Sequence, residues 1–344
     1  MWKLINRGSF IDYEDGTIKS VFENDNKGII EISLLFNKED KDVVCVPTHH
    51  FCNLGCKMCH LTNKGLNKSM KAICLEDFIE ALIRSVCVQK IELKKELENF
   101  KEYRRTDKKK LLISFMGVGE PLLNQKLILE VFNNSEYLKK ILGYEDISFA
   151  IASMVPSINL LKSFTNMVLE NSIPLKIHFS LHTPLDEARF ALLPSTKATI
   201  KDVLKELDSY RNRCKSDSKI MDNYLKFHRN NNACEIHYTL IDGVNDSNEE
   251  LNRLIELLKN NPITIKFIRF NPINEMKRSN NEELWYDTLK IEIGENNVKR
   301  YAPPGKQVGS SCGEFTKHYY HEEIESEDQL KEFLRWEKEH KIDY

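Results

Sequence analysis

The feature that most constrains this chain is an alternation of short, β-rich apolar runs with longer amphipathic ones. Residues 43–46, 111–116, 147–152, 175–181, 234–241 and 263–270 form the short runs, dense in Val, Ile, Leu and Phe. Between them, 75–100, 127–142, 158–171, 200–211 and 249–260 carry apolar residues at three- and four-residue spacing. Strands alternating with helices pair in parallel, each helix covering one face of the sheet. Six such units predict an α/β protein built as a partial (βα)6 TIM barrel.

Flanking segments add to this core. Asp15-Gly16 is a hairpin-type dipeptide, and Ile30-Glu31-Ile32-Ser33-Leu34 alternates, so 1–42 reads as a small N-terminal β extension. After the sixth strand, 282–293 reads as a helix, 298–301 as a strand, and 325–340 as a charged C-terminal helix. No Gly/Ser/Pro-rich linker appears, so 43–315 is expected to be one core with its closing segment, and 316–344 a helical tail. At 344 residues the chain is long enough for a full core. The absence of a long apolar run or signal-peptide core points to a soluble cytoplasmic protein without a membrane partner.

Nine cysteines, odd in number and unevenly spread, point to metal or thiol chemistry in a reducing compartment. Three of them form Cys52-Asn-Leu-Gly-Cys56-Lys-Met-Cys59, directly after the first barrel strand. Three thiolates at this spacing can hold three irons of a four-iron cluster and leave the fourth open, since closed clusters use four cysteines. Zinc is the alternative, with His49, His50 or His60 completing the ligands. A loop after a barrel strand opens at the C-terminal mouth, where such folds build their sites. Cys74, Cys87, Cys214 and Cys234 read as structural.

The second strand runs into Phe115-Met116-Gly117-Val118-Gly119-Glu120-Pro121. Glycines at a strand end admit close backbone approach, and Glu120 offers a carboxylate to an ammonium group. A net charge of −2 argues against nucleic-acid binding over the whole surface, though 90–110, ending in Arg104-Arg105 and Lys108-Lys109-Lys110, is either a solvated helix or a local phosphate-contacting face.

Cys-x-x-x-Cys-x-x-Cys followed by a Gly-Glu-Pro strand end resembles the radical S-adenosylmethionine (radical SAM) superfamily. With Ser180-Leu181-His182, Asp242-Gly243-Val244-Asn245-Asp246, Phe270-Asn271-Pro272 and Ser311-Cys312-Gly313 in the same order, the chain resembles the RlmN and Cfr group of RNA adenosine methyltransferases. The resemblance implies a radical SAM-type barrel, a [4Fe-4S] cluster on Cys52, Cys56 and Cys59, and S-adenosyl-L-methionine (SAM) lined by Gly119, Glu120, Ser153, Ser180, Leu181, His182 and Asn271. It implies that Cys312 carries the methyl group, that Cys45 releases the product with a Cys45 to Cys312 disulfide, and that Glu31 removes the ring proton. Read alone, Cys45 is a small buried hydrophobe and Glu31 a solvent-facing strand residue. The implied reaction is methylation of an adenine carbon, C2 ahead of C8, in ribosomal or transfer RNA. A monomer served by a low-potential electron donor such as flavodoxin or ferredoxin is expected.

The sequence departs from the family pattern in places. The SAM-contacting Ser-Thr-x-Gly turn is replaced by Ala150-Ile151-Ala152-Ser153, and Ala302 to Gln307 replaces the charged residues before the methyl-carrying cysteine. The family's N-terminal helical accessory domain is expected to be lacking, and RNA docking is then expected to fall to the basic segment ending at Lys110 and to the C-terminal tail. Two other readings stay open: a radical SAM enzyme that abstracts hydrogen from a small molecule or protein, and an inactive cluster-binding protein.

Overall fold

The computed structural model describes residues 3–35, 40–63, 70–96, 109–227, 232–306 and 308–310. Its strands are β1 (Ile5–Ile11), β2 (Ile18–Glu23), β3 (Ile29–Leu35), β4 (Asp42–Cys45), β5 (Lys110–Phe115), β6 (Asp146–Ser153), β7 (Leu175–Ser180), β8 (Cys234–Tyr238), β9 (Thr264–Ile268) and β10 (Val298–Tyr301). They form one sheet in chain order. β1 to β4 pair antiparallel, and β4 to β10 pair parallel throughout. The expected barrel units and β extension are therefore one continuous sheet, and β10, placed after the barrel in the sequence reading, extends it beside β9.

The strands alternate in character. Val44, Ile113, Phe149, Ile151, Ile177, Phe179, Ile236, Ile265 and Val298 lie in the main core with Phe78, Leu82, Val131, Leu161, Phe164, Leu204, Leu254 and Trp285 of the covering helices. The intervening positions, on the other face, are small or polar: Cys45, Ser114, Ala150, Ala152, Lys176, His178, Glu235, His237 and Lys266. Closed TIM barrels fill this inner face with branched apolar side chains. Here it is suited to holding something polar.

The helices are α1 (His60–Asn63), α2 (Leu75–Glu96), α3 (Gln125–Asn133), α4 (Ser135–Leu142), α5 (Ile158–Glu170), α6 (Asp186–Leu192), α7 (Ile200–Lys215), α8 (Ser218–Phe227), α9 (Asn248–Asn260) and α10 (Glu282–Ile293). Serine and threonine side chains start three of them: Ser157 accepts from Leu160 N, Thr199 from Asp202 N and Ser247 from Glu250 N. The single helix expected over 127–142 is divided at Asn134, whose side-chain amide donates to Glu130 O at 2.8 Å, a local bond that competes with helix continuation. α6 and α8 were not anticipated, because so few turns give little periodicity to read. The expected helix over 325–340, most of the basic segment 97–108, and Cys312 lie outside the described residues.

Asn245 in the Asp242 to Asp246 turn staples two strand ends. Its Nδ2 donates to His182 O at 2.5 Å and Thr239 O at 2.7 Å, and its Oδ1 accepts from Ile241 N at 2.7 Å. Asn245 is buried, so Asn245→Ala strands all three groups away from water. The expected result is a loss of about 3 kcal/mol of stability, read as a lower denaturant midpoint at unchanged slope.

Candidate functional site

The site gathers at the C-terminal ends of the parallel strands. Cys45 ends β4, paired in register with Ser33 of β3 and Ser114 of β5. The chain then turns through the cysteine loop into α1. Cys45, Cys52 and Cys59 pack around Leu61 and Val118, while Cys56 packs with Met154, Leu192 and Leu193, its Sγ 3.7 Å from Met154 Sδ. All four cysteines are half-buried.

The thiols act on one another. Burial pushes the Cys56 thiol well up, and Cys59, Cys52 and Glu120 push it further. Cys52 is also raised, chiefly by burial, with Glu120 adding to it. Clustered thiols that resist ionisation together are ready to lose their protons to a cationic metal group, whose charge reverses the penalty. Three soft donors on one loop fit the three-cysteine binding of a [4Fe-4S] cluster. Two of the three histidines considered for zinc are engaged elsewhere: His49 Nδ1 meets Thr48 Oγ1 at 2.9 Å, and His50 meets Ile29 O at 3.2 Å and Asn24 Nδ2 at 3.3 Å.

Gly117 and Gly119 serve close approach of the chain to itself. A Cβ on Gly117 would lie 2.8 Å from the Val46 and Pro47 backbone, and one on Gly119 would lie 2.4 Å from His49 Nδ1. Gly119 also sits at φ 103°, a region closed to most side chains. The pair locks the end of β5 against the entry to the cysteine loop.

Glu120 is fully buried, and its carboxylate joins two strand ends. Oε1 accepts from Ser153 Oγ at 2.6 Å and Leu122 N at 3.1 Å, and Oε2 accepts from Met154 N at 3.1 Å. Burial pushes its pKa up to about 7, against the lowering effect of these three donors and Arg189. Oε2 keeps one lone pair for a further donor. Ser153, at the departure from the family turn, thus stands beside Glu120, and its Oγ also accepts from Val155 N at 2.8 Å.

On β7, Ser180 is half-buried, while Leu181 buries its side chain in the core and donates its backbone N–H to His237 O at 3.1 Å. His182 adopts φ 59°, and its Nδ1 accepts from Thr239 N at 3.2 Å. Burial and then Arg189 lower its pKa to about 3, so the ring is neutral. Asn271 lies just beyond β9 and is largely buried. Glu31 is 3% exposed, which corrects its reading as a solvent-facing residue: it forms an ion pair with Lys19, itself fully buried.

Two buried cations escaped the sequence reading. Arg189 on α6 donates to Met154 O at 2.5 Å and Ser180 O at 3.2 Å, tying the ends of β6 and β7, and its guanidinium lies 4.8 Å from the centre of the Phe179 ring. Lys19 on β2 reaches Gly309 O at 3.2 Å, joining the β extension to the closing segment. Nothing local in the sequence marks Lys19.

A three-cysteine loop at the mouth of an open parallel sheet is the arrangement expected of a radical SAM-type fold, and comparison with known proteins finds the same fold. The structure matches a radical SAM methyltransferase from Sphaerobacter thermophilus with a TM-score of 0.63 at 19% identity, over 91% of this chain and 81% of that one. In sequence, the chain is 27% identical over 317 residues to the dual-specificity RNA methyltransferase RlmN of Marinobacter nauticus, spanning 90% of this chain and 76% of that protein. It is 26% identical over 311 residues to the probable dual-specificity RNA methyltransferase RlmN of Clostridioides difficile, spanning 89% and 77%. No protein-family model matches. The chain is thus similar in fold to a radical SAM methyltransferase and in sequence to RlmN-type RNA methyltransferases. No helix among the described residues is long and apolar enough to cross a membrane.

Proposed function

We propose that this protein methylates an adenine carbon, C2 or C8, in RNA, with the methyl group carried on Cys312. The names of the curated relatives support RNA as substrate. The carrying observation is the Lys19 bridge. Its ammonium pairs with Glu31 and donates to the carbonyl of Gly309, three residues before Cys312, while Ser33 pairs Cys45 on the same face of the sheet as Glu31. Glu31, Cys45 and Gly309, which stands three residues before Cys312 in sequence, are thus tied to one side of the mouth.

In this reading Cys52, Cys56 and Cys59 hold the cluster, and Gly119, Glu120, Ser153, Ser180 to His182 and Asn271 line the SAM pocket. When bound, the cluster and SAM supply the methyl group and the means of removing hydrogen from it. Cys312 sulfur takes the methyl group and presents it to the base. Once its carbon has bonded to the ring, Glu31 accepts the ring proton, with the cluster, when bound, as the one-electron acceptor that balances this loss. Cys45 thiolate then attacks Cys312 sulfur, so that the sulfur–sulfur bond forms as the sulfur–carbon bond breaks, and the released carbon takes a proton. A disulfide is the oxidised product and needs reduction before the next cycle.

Peptide mass analysis of protein expressed with an intact cluster tests the carrier: Cys312 should be found one methyl heavier, and its absence would sink the mechanism. Lys19→Met should leave iron content and 5′-deoxyadenosine formation unchanged while RNA methylation falls at least about tenfold, the scale of one lost charge-assisted contact. Equal methylation by the variant would remove Lys19 from the account.

A further inference from the structure

A second group of side chains on the inner face is not used by this chemistry. Lys176 on β7, Glu235 on β8, Lys266 on β9 and Lys299 on β10 come from four adjacent strands, with His178 in register with Glu235 and His237 with Lys266. Glu235 is the hub: Oε1 lies 2.8 Å from Lys176 Nζ, Oε2 lies 2.7 Å from Lys266 Nζ, and Lys299 also closes on Oε1. The two imidazoles sit 4.3 Å apart, ring centre to ring centre. His178 Nδ1 is 3.6 Å from Glu235 Oε2, and neither that nitrogen nor His237 Nε2 has a hydrogen-bond partner among the described residues.

Three ammonium groups surround one carboxylate, an excess of two positive charges over the Glu235 charge. A buried ion network serving structure alone is expected to balance, since an uncompensated buried charge is costly. The crowding shows at Lys176, whose pKa is lowered to about 8 by burial first, with Lys266 and Lys299 contributing. His178, Glu235 and His237 present three ligand atoms within 4.8 Å of one another, which suggests a divalent cation. The lysines oppose that choice, because a cation on Glu235 would meet three like charges at contact distance, whereas an oxyanion would be attracted by all of them.

We propose that this inner face binds a phosphate-type oxyanion, held by Lys176, Lys266 and Lys299, with His178 and His237 as neutral N–H donors. The Lys266 and Lys299 side chains are 22% and 34% exposed, which gives the site a solvent-accessible side at β9 and β10. His237 is in register with Ser180, so the site begins directly below the strand end that carries Ser180 to His182. A phosphate attached to a ligand entering the mouth, or a free one, can reach it. The proposal does not depend on RNA being the substrate.

Calorimetric titration of the cluster-loaded full chain with inorganic phosphate, AMP and a short RNA oligonucleotide at low salt tests it. One phosphate group should bind per chain, with affinity falling at least about tenfold in Lys266→Ala and in Lys299→Ala and rising in Glu235→Gln, where the competing carboxylate charge is gone. Lys299→Ala, on the terminal parallel strand, keeps the test available if Glu235→Gln does not fold. Tighter binding of AMP or RNA with the same lysine dependence supports the site and identifies the phosphate as part of a nucleotide. Failure of all three probes to bind, affinities unaltered in folded lysine variants, or stoichiometric zinc retained through His178 and His237 would overturn it. None of these readouts requires methylation, so the result stands apart from that of the proposed function.

Discussion

Cys56→Ala is expected to reduce bound iron to trace levels and to lower 5′-deoxyadenosine formation from SAM by roughly a thousandfold or more, since a metal group loses both affinity and geometry with a ligand. Cys56 is the central thiol of the loop, its pKa raised by burial first and then by Cys59, Cys52 and Glu120. Its removal leaves two sulfurs, too few to hold three irons. The fold should survive, because Cys56 lies on a loop and packs with Met154, Leu192 and Leu193 apart from the main core; a cost of about 1 kcal/mol is expected. Cys74→Ala is the control, since Cys74 is exposed and distant in sequence, and its iron content should match wild type. Iron bound at full stoichiometry by Cys56→Ala would mean that the loop is not the cluster site.

Glu120→Gln is expected to change the pH dependence of both stability and SAM binding. The folded pKa of Glu120 is raised from 4.5 to about 7 by burial. For an acid whose folded pKa is raised, the native state holds the proton more tightly than the unfolded chain. Its stabilising contribution is therefore full below pH 4.5 and lost as pH rises through 7, by roughly 3 kcal/mol in total. The neutral histidines run the other way: His49, lowered to about 4 by burial, favours the fold above its ordinary titration range and costs stability as pH falls. The difference between wild type and Glu120→Gln isolates the carboxyl. Without SAM, the variant should gain on wild type from pH 5 to 8. With SAM, whose ammonium fits the remaining lone pair of Oε2, wild-type affinity should strengthen across that range while the variant stays flat. Parallel pH profiles for the two proteins would show that Glu120 does not titrate there and meets no cation.

The six barrel strands were legible because each is a compact apolar run, and the cysteine loop was legible because its chemistry depends on local spacing. The inner face was harder to read. Lys176, His178 and Ser180 alternate with Ile177 and Phe179, and Glu235 and His237 alternate with Ile236 and Tyr238. That period-two pattern is unusual for a parallel sheet, whose strands are normally apolar on both faces. The signal was present but unclaimed, because an isolated buried lysine means little until the register sets four strands side by side. Lys19 was beyond reach altogether: its partner Gly309 is 290 residues away, and no local pattern encodes such a contact. The freedom of Gly119 is used first to pass His49. Ser153 shows a departure from a family turn that keeps a hydroxyl at the strand end, where Glu120 uses it.

The most direct test is RNA methylation itself. Cluster-loaded protein incubated anaerobically with SAM carrying an isotopically labelled methyl group, a low-potential reductant and RNA from cells lacking the protein should yield label in adenosine methylated on a ring carbon, seen by nucleoside mass spectrometry. C2- and C8-methyladenosine separate in that measurement, so one experiment gives both the reaction and the ring position. Turnover of SAM to 5′-deoxyadenosine with no label in any RNA adenosine would contradict the account and direct the same radical chemistry to another substrate.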